Sequence, residues 1–164
     1  MSASSAHAVG SGRIRATRTR LPSWRSLVLW CVTLLCVGGL GIALYLTVAH
    51  ASDRPIACTG IGDCNYVNSS EYAEVAGIRV AALGGVAYAT LLALVVATAL
   101  TRARLPLVVA WGLSLATFAF SVYLTYVELF VIDAICVWCV ASALFFTVIF
   151  LALGGLVLTA QEET

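Results

Sequence analysis

A chain of 164 residues that is 62% hydrophobic and 10% charged is excluded from the ordinary soluble domains, which run about 45–50% apolar and about 25% charged. The net charge of +1 offers no excess of basic charge for nucleic acid. It does conceal a marked asymmetry along the chain.

Residues 1–22 are rich in Ser, Ala, Gly and Arg and lack apolar periodicity. That composition predicts a disordered cytoplasmic tail, whose arginines set topology or touch anionic headgroups. Four apolar runs follow, at Leu27–Ala49, Val80–Leu100, Leu107–Tyr126 and Ile135–Leu158, none containing Lys, Arg, Asp or Glu. Each has about 20 residues, enough to cross a hydrocarbon core of ~30 Å at ~1.5 Å per residue. Backbone polar groups in lipid must be satisfied internally, so the runs are helices. The expected fold is all-α, an integral membrane four-helix bundle over residues 23–160. Basic residues, the first apolar run and Ala49-His50-Ala51 imitate a cleavable secretory signal. The run exceeds the usual apolar region of about 7–15 residues, so it is read as a span. No charge lies within any of the four runs, which argues against an ion path.

Arg13, Arg15, Arg18, Arg20 and Arg25 precede the first run, and Arg102 and Arg104 lie between the second and third. The positive-inside rule makes both regions cytoplasmic. The other connections hold Asp53, Asp63, Glu71, Glu74, Glu128 and Asp133 against Arg54 and Arg79, and are expected outside, with both termini inside. The setting is a multi-pass cell membrane protein.

The outward loop 52–78 contains Cys58 and Cys64 with Gly60, Gly62 and Asp63 between or beside them, which marks a turn. Pro55 stops the first helix. Ser69-Ser70-Glu71-Tyr72-Ala73-Glu74 predicts a short lid helix with a hydroxyl N-cap and acids in its first turn, ended by Gly77. A C-x5-C in such a loop is either a structural staple or a mobile redox pair.

Cys136-Val137-Trp138-Cys139 begins the fourth run. Cysteines three apart on a helix share a face, within reach of a disulfide. Unpaired N–H groups and the positive end of the helix favour a thiolate there. A zinc site would need further ligands, and on an oxidising side of the membrane a dithiol relay is the better account. Without a haem, flavin or iron–sulfur motif, a lipid-soluble quinone is the natural electron acceptor.

Cys58-x5-Cys64, Ser70 six residues on, Gly77-Ile78, Gly84 and Tyr126-x-Glu128 followed by Cys136-Val-Trp-Cys139 together resemble the vitamin K epoxide reductase family, specifically its bacterial homologues. The resemblance covers roughly residues 27–155. It implies a four-helix bundle around a quinone of the menaquinone or ubiquinone type at the outer membrane edge. It also implies Cys136 and Cys139 as the pair beside the quinone, with Cys139 reacting at its ring and Cys136 exchanging with Cys64. Cys58 and Cys64 would be the shuttle pair, and Ser70 the loop serine that supports the site. Animal enzymes of the family carry a tyrosine where this chain has Ala143, and their longer loop with its quinone-binding asparagine has no counterpart between Ser70 and Val80. Disulfide formation is therefore expected instead of epoxide reduction. The thiol partner is expected to be a separate extracytoplasmic protein of thioredoxin fold.

Trp138 and Tyr88 are candidates to line the quinone site, although core packing explains each as well. Cys31 and Cys36, five apart, fall on different helix faces and read as small apolar fillers. Asp133 is read as a solvated loop acid and His50 as a minor candidate for proton donation. Asn68-Ser69-Ser70 matches a glycosylation sequon, which a glycan beside the active loop would contradict. Two rival functions are reduction of a quinone or vitamin K epoxide by an outside dithiol, and a non-catalytic tetraspan scaffold braced by the loop disulfide.

Overall fold

The computed structural model describes residues 23–52, 54–58 and 62–162. The arginine-rich segment 1–22 lies outside the described residues. Four long helices dominate: α1 (Ser23–Ala51), α3 (Val80–Thr101), α4 (Arg104–Phe130) and α5 (Val137–Glu162). Between α1 and α3 lie the six-residue helix α2 (Cys64–Ser69), a 3₁₀ turn (Glu71–Ala73) and a hairpin of β1 (Glu74–Val75) and β2 (Ile78–Arg79). All four long helices have the length and apolarity to cross a membrane. α1 packs on α3, α3 on α4, α4 on α5 and α5 back on α1, so the bundle closes on itself.

Spacing in α1 shows how an all-apolar helix still has an inside. Leu29, Val32, Cys36, Gly39, Ala43, Leu46 and Ala49 are its buried positions, recurring every three or four residues along one stripe. Trp30, Leu34, Leu44 and Val48 point outward and are exposed. In water that surface would drive aggregation; against lipid tails it is matched. Cys36 lies in the core and Cys31 on the outer surface. The central core joins Val32 and Cys36 to Leu91, Val95, Ile149 and Leu153.

The helices meet closely at Gly39, where a Cβ would overlap the ring of Tyr88. Tyr88 is fully buried, stacks on Phe146 at 4.2 Å between ring centroids, and bonds through its hydroxyl to the Ser142 carbonyl at 3.0 Å. Glycine at 39 thus lets α1, α3 and α5 meet around one phenol.

The lid departs from the sequence expectation. Its helix begins at Cys64, because the Asp63 carboxylate accepts the Tyr66 N–H at 3.0 Å and caps that first turn. Ser70 ends this helix, its hydroxyl donating to the Val67 carbonyl at 2.7 Å. Glu71–Ala73 forms only one 3₁₀ turn, without a side-chain cap from Ser70. Gly77 belongs to the hairpin turn, where Ala76 and Gly77 both have positive φ, 54° and 76°; a two-residue turn with both centres positive suits the right-handed twist of a hairpin. Glu74 and Arg79 are paired across the strands and form an ion pair at 3.1 Å.

A Gly39→Ala variant should lower stability by about 1–3 kcal/mol, the usual cost of overpacking a filled core, read as a reduced thermal midpoint in detergent. Gly41, with open space where its Cβ would stand, is the control: Gly41→Ala should leave the midpoint unchanged.

Candidate redox site

The site is built where α4 gives way to α5. The Val127 carbonyl accepts the N–H groups of Val131 and Ile132, both at 3.0 Å, and the Glu128 carbonyl accepts that of Ala134 at 3.2 Å. Asp133 makes the turn with φ at 51° and is exposed. The chain then runs back across the helix end, and the Cys136 N–H donates to Glu128 Oε2 at 3.2 Å. The Cys136 carbonyl accepts the Val140 N–H at 3.0 Å, the first bond of α5. Cys136 therefore stands at the mouth of the helix and Cys139 in its first turn. The Cys136 thiol is held below its ordinary range, chiefly because the Cys139 S–H donates to its thiolate. Burial opposes this, the Cys139 and Trp138 N–H groups assist, and the charge of Glu128 opposes.

Cys58 and Cys64 form a disulfide with Cα atoms 6.2 Å apart. Cys64 is buried in the same apolar cluster as Cys136, with Cys58, Trp138 and Cys139 packed against it. Two features hold this loop to the start of α5. Gly62 has φ at 87° and presses so closely on Ile135 that a Cβ would overlap the Ile135 carbonyl; no other residue fits both conditions. Asn68, on the α2 face shared with Cys64, donates through Nδ2 to the Cys64 carbonyl at 3.0 Å and to the Cys136 sulfur at 3.7 Å. One amide therefore bridges the two cysteine pairs.

A clamp at Ala57 fixes the other side of the disulfide. The Ala57 N–H donates to the Tyr45 hydroxyl at 2.9 Å, and the Trp138 indole N–H donates to the Ala57 carbonyl at 2.9 Å. The two rings lie 5.5 Å apart. Trp138, the second residue between the active cysteines, thereby grips the residue just before Cys58. The Ile56 N–H is fixed by Asn65 Oδ1 at 2.8 Å.

Beneath this lid lies a cavity of about 400 Å³ bounded by α1, α2, α3, α4 and α5. Its walls are mostly aliphatic and aromatic, among them Ile42, Leu46, Leu83, Phe120 and Leu124; the polar groups on them include those of Cys139, Glu128, Trp138, Asn68, Ser70, His50 and Arg79. The volume falls within the range of small-molecule sites, about 300–1,000 Å³. A flat apolar ring fits these walls with a thiol among them; near the lid stand Ser70 and Asn68, whose amide already donates to the Cys64 carbonyl and the Cys136 sulfur. Ser70 does reach the wall, although its hydroxyl proton is engaged by Val67. Tyr88 does not: it lies behind the wall, sealed in the core by Phe146 and Gly39. Its hydroxyl is taken by Ser142, which holds the phenol inward, so the structure does not bring Tyr88 to the cavity surface.

Three contributors are absent from the sequence reading of the site. Glu128 was assigned to an exposed connection, but α4 continues through it to Phe130 and it is 6% exposed. The argument that no span carries charge is corrected by this residue. Its signal was spacing, because Thr117, Ser121, Thr125 and Glu128 follow at four, four and three residues and all line the cavity. Asn68 stands four after Cys64, one turn along the same face. Tyr45 had no local signal beyond its position near a helix end.

A model of the vitamin K epoxide reductase family matches residues 30–153. The matched stretch runs from within α1 to within α5, and holds both cysteine pairs, the lid and most of the cavity wall. With four membrane-crossing helices and a disulfide beside a dithiol, the chain belongs to the vitamin K epoxide reductase family of membrane thiol and quinone oxidoreductases.

Proposed function

We propose that the protein reoxidises a separate extracytoplasmic disulfide-forming protein of thioredoxin fold, passing electrons through Cys58 and Cys64, then Cys136 and Cys139, to a quinone of the menaquinone or ubiquinone type. One observation carries this reading: an oxidised pair is packed against a reduced pair whose distal thiol opens on an apolar cavity. Cys58 is partly exposed while Cys64 is buried against Cys136. That division gives Cys58 to the soluble partner and Cys64 to the inner pair.

The exchange follows from these positions. A partner thiolate opens Cys58–Cys64, leaving the partner oxidised and two thiols in the loop. Cys64 then attacks the Cys136 sulfur of a closed Cys136–Cys139 disulfide and releases Cys139 as a thiol. Cys58 resolves the mixed disulfide, re-forming Cys58–Cys64 and expelling Cys136. A thiol of lowered pKa leaves faster, and Cys136 is the lowered one. The product of these steps, an outer disulfide above an inner dithiol, is the arrangement present here. When bound in the cavity, a quinone supplies the two-electron oxidation that restores the inner disulfide.

Sidedness rests on charge. Arg25, Arg102 and Arg104 surround one small cavity at the end of the bundle away from the cysteines, and Asp63, Glu71, Glu74 and Asp133 belong to the cysteine end. Basic residues stay on the cytoplasmic side, so the thiols face outward. Ala143 lies on the cavity wall at the place where the resemblance locates a tyrosine in animal enzymes. A methyl there gives no phenol to epoxide chemistry, which favours disulfide formation.

Purified protein given a reduced thioredoxin-fold substrate and a soluble quinone should bleach the quinone absorbance, whereas Cys139→Ala should fall to the uncatalysed background. Cys58→Ala should accumulate a Cys64–Cys136 mixed disulfide, seen by mass spectrometry of a non-reduced digest. Quinone reduction by Cys139→Ala at the wild-type rate would sink the relay and leave the loop disulfide a brace.

The clamp must open for the partner to reach Cys58. Each clamp hydrogen bond contributes about 0.5–1.5 kcal/mol, so Trp138→Phe and Tyr45→Phe should each speed reduction of Cys58–Cys64 by dithiothreitol about 2- to 10-fold.

The ultraviolet thiolate absorbance of Cys136 should titrate with a midpoint below the ~8.5 of a free thiol. Cys139→Ala removes the largest stabiliser of that thiolate and should move the midpoint upward.

A further inference from the structure

Glu128 is the one buried carboxyl group among the described residues, and its setting is costly. Taking a carboxylate out of water costs several kcal/mol unless a cation or several donors replace the solvent. The described residues pair no cation with Glu128; the carboxyl receives the Cys136 N–H at 3.2 Å and lies close enough to the Cys139 thiol for the two groups to interact electrostatically. Holding one backbone N–H does not call for an acid. A glutamine oxygen accepts that bond without the desolvation cost, and a serine or asparagine serves the same purpose at many helix mouths. What distinguishes glutamate from those alternatives is that it takes and gives a proton.

The position supports that use. Glu128 and Cys139 both line the large cavity, and the Glu128 carboxyl is bonded to the N–H of Cys136, one turn before Cys139, so it stands beside the inner thiol pair on the cavity side. Cys139 is also the thiol whose proton must depart. Its S–H donates to Cys136 while that sulfur is a thiolate, and while the S–H stays intact Cys139 is no nucleophile. Asp133, the nearer acid in sequence, is exposed on the outer turn.

We propose that Glu128 is the general base of Cys139: its carboxylate takes the Sγ proton as Cys139 becomes the attacking sulfur and passes it toward the cavity. Starting from the Cys136 thiolate and the Cys139 thiol, closing Cys136–Cys139 breaks one S–H bond, forms one S–S bond and releases two electrons and one proton. A two-electron acceptor of the quinone class takes both electrons and that proton, drawing its second proton from water, and Glu128 carries the thiol proton in transit, beginning and ending as the carboxylate. The inference rests on the relay reading for the acceptor alone; deprotonation of Cys139 during disulfide closure is needed with any oxidant.

The test separates the two. Reduced full-length protein in detergent, free of quinone, is mixed with diamide, a two-electron thiol oxidant that modifies the Cys136 thiolate first and is then displaced by Cys139. Glu128→Gln keeps an oxygen for the Cys136 N–H but removes the base. Ring closure should slow at least about 100-fold, the lower end of general-base contributions, and the Cys136 adduct should accumulate in the mass spectrum. The first step, alkylation of Cys136 by iodoacetamide, should not slow, because removing the Glu128 charge can only favour the Cys136 thiolate, and Glu128→Asp should close faster than Glu128→Gln. Closure by Glu128→Gln at the wild-type rate overturns the proposal, as does equal slowing of both steps, which signals a disturbed helix end. A parallel arm replaces diamide with a soluble quinone. If wild type reduces none while the diamide arm shows the slowed closure, the base stands and the quinone reading falls. If wild type reduces quinone and Glu128→Gln matches it in both arms, the relay stands without Glu128.

Discussion

Thiol–disulfide exchange proceeds only when a thiolate reaches a sulfur directly, and the cysteine end of this bundle is arranged around that requirement. Cys58 lies on a loop and Cys136 just before a helix, while Cys64 and Cys139 fall in the first turns of α2 and α5, so secondary structure alone does not bring the two pairs together. The chain fixes Cys136 from below by bonding its N–H to Glu128 and fixes Cys64 from above through Asn68, whose amide also faces the Cys136 sulfur. Gly62 lets the loop descend onto Ile135. Each of these contacts joins segments distant in sequence, and together they place Cys64 and Cys136 in one buried cluster.

Holding and releasing have to coexist in such a device. The helices are locked by a continuous apolar core in which Leu91, Ile149 and Leu153 are fully buried, and deletion of such side chains typically costs about 2–5 kcal/mol. The lid is attached by a smaller cluster and a few hydrogen bonds of about 0.5–1.5 kcal/mol each, two of them on the single residue Ala57. Segments with few buried apolar contacts open at far lower free energy than the core. A rigid bundle and a loosely latched loop follow from that difference, with Trp138 belonging to both the latch and the active pair.

Reading the sequence recovered what composition and periodicity control. Four apolar runs translate into four helices because lipid leaves the backbone no alternative, and the C-x-x-C falls at a helix start because the polar connection ends there. The lid was harder, since short elements are decided by capping competition. Ser70 and the acids after it resemble an N-terminus, but Asp63 caps an earlier turn and Ser70 closes it. Tyr88 looked available to a ligand because sequence does not reveal which side of an all-apolar helix faces inward. Glu128 was hidden for the same reason: an acid near a helix end reads as solvated until the opposing chain is seen to cross above it.

The two inner thiols differ in setting although only two residues separate them. Cys136 has its amide bonded to Glu128 and its sulfur supplied with donors, which suits a leaving group toward the loop. Cys139 is the donor in that arrangement, so the bond that prepares Cys136 also keeps Cys139 protonated. Exchange with the loop and delivery into the cavity therefore require opposite states of a single proton. A group able to remove it has to touch Cys139 while staying clear of Cys64, and has to sit on the cavity side of the helix mouth. The last turn of α4 lies on that side of the helix mouth, and in the proposed relay a carboxyl there would separate the two half-reactions in time without moving a helix.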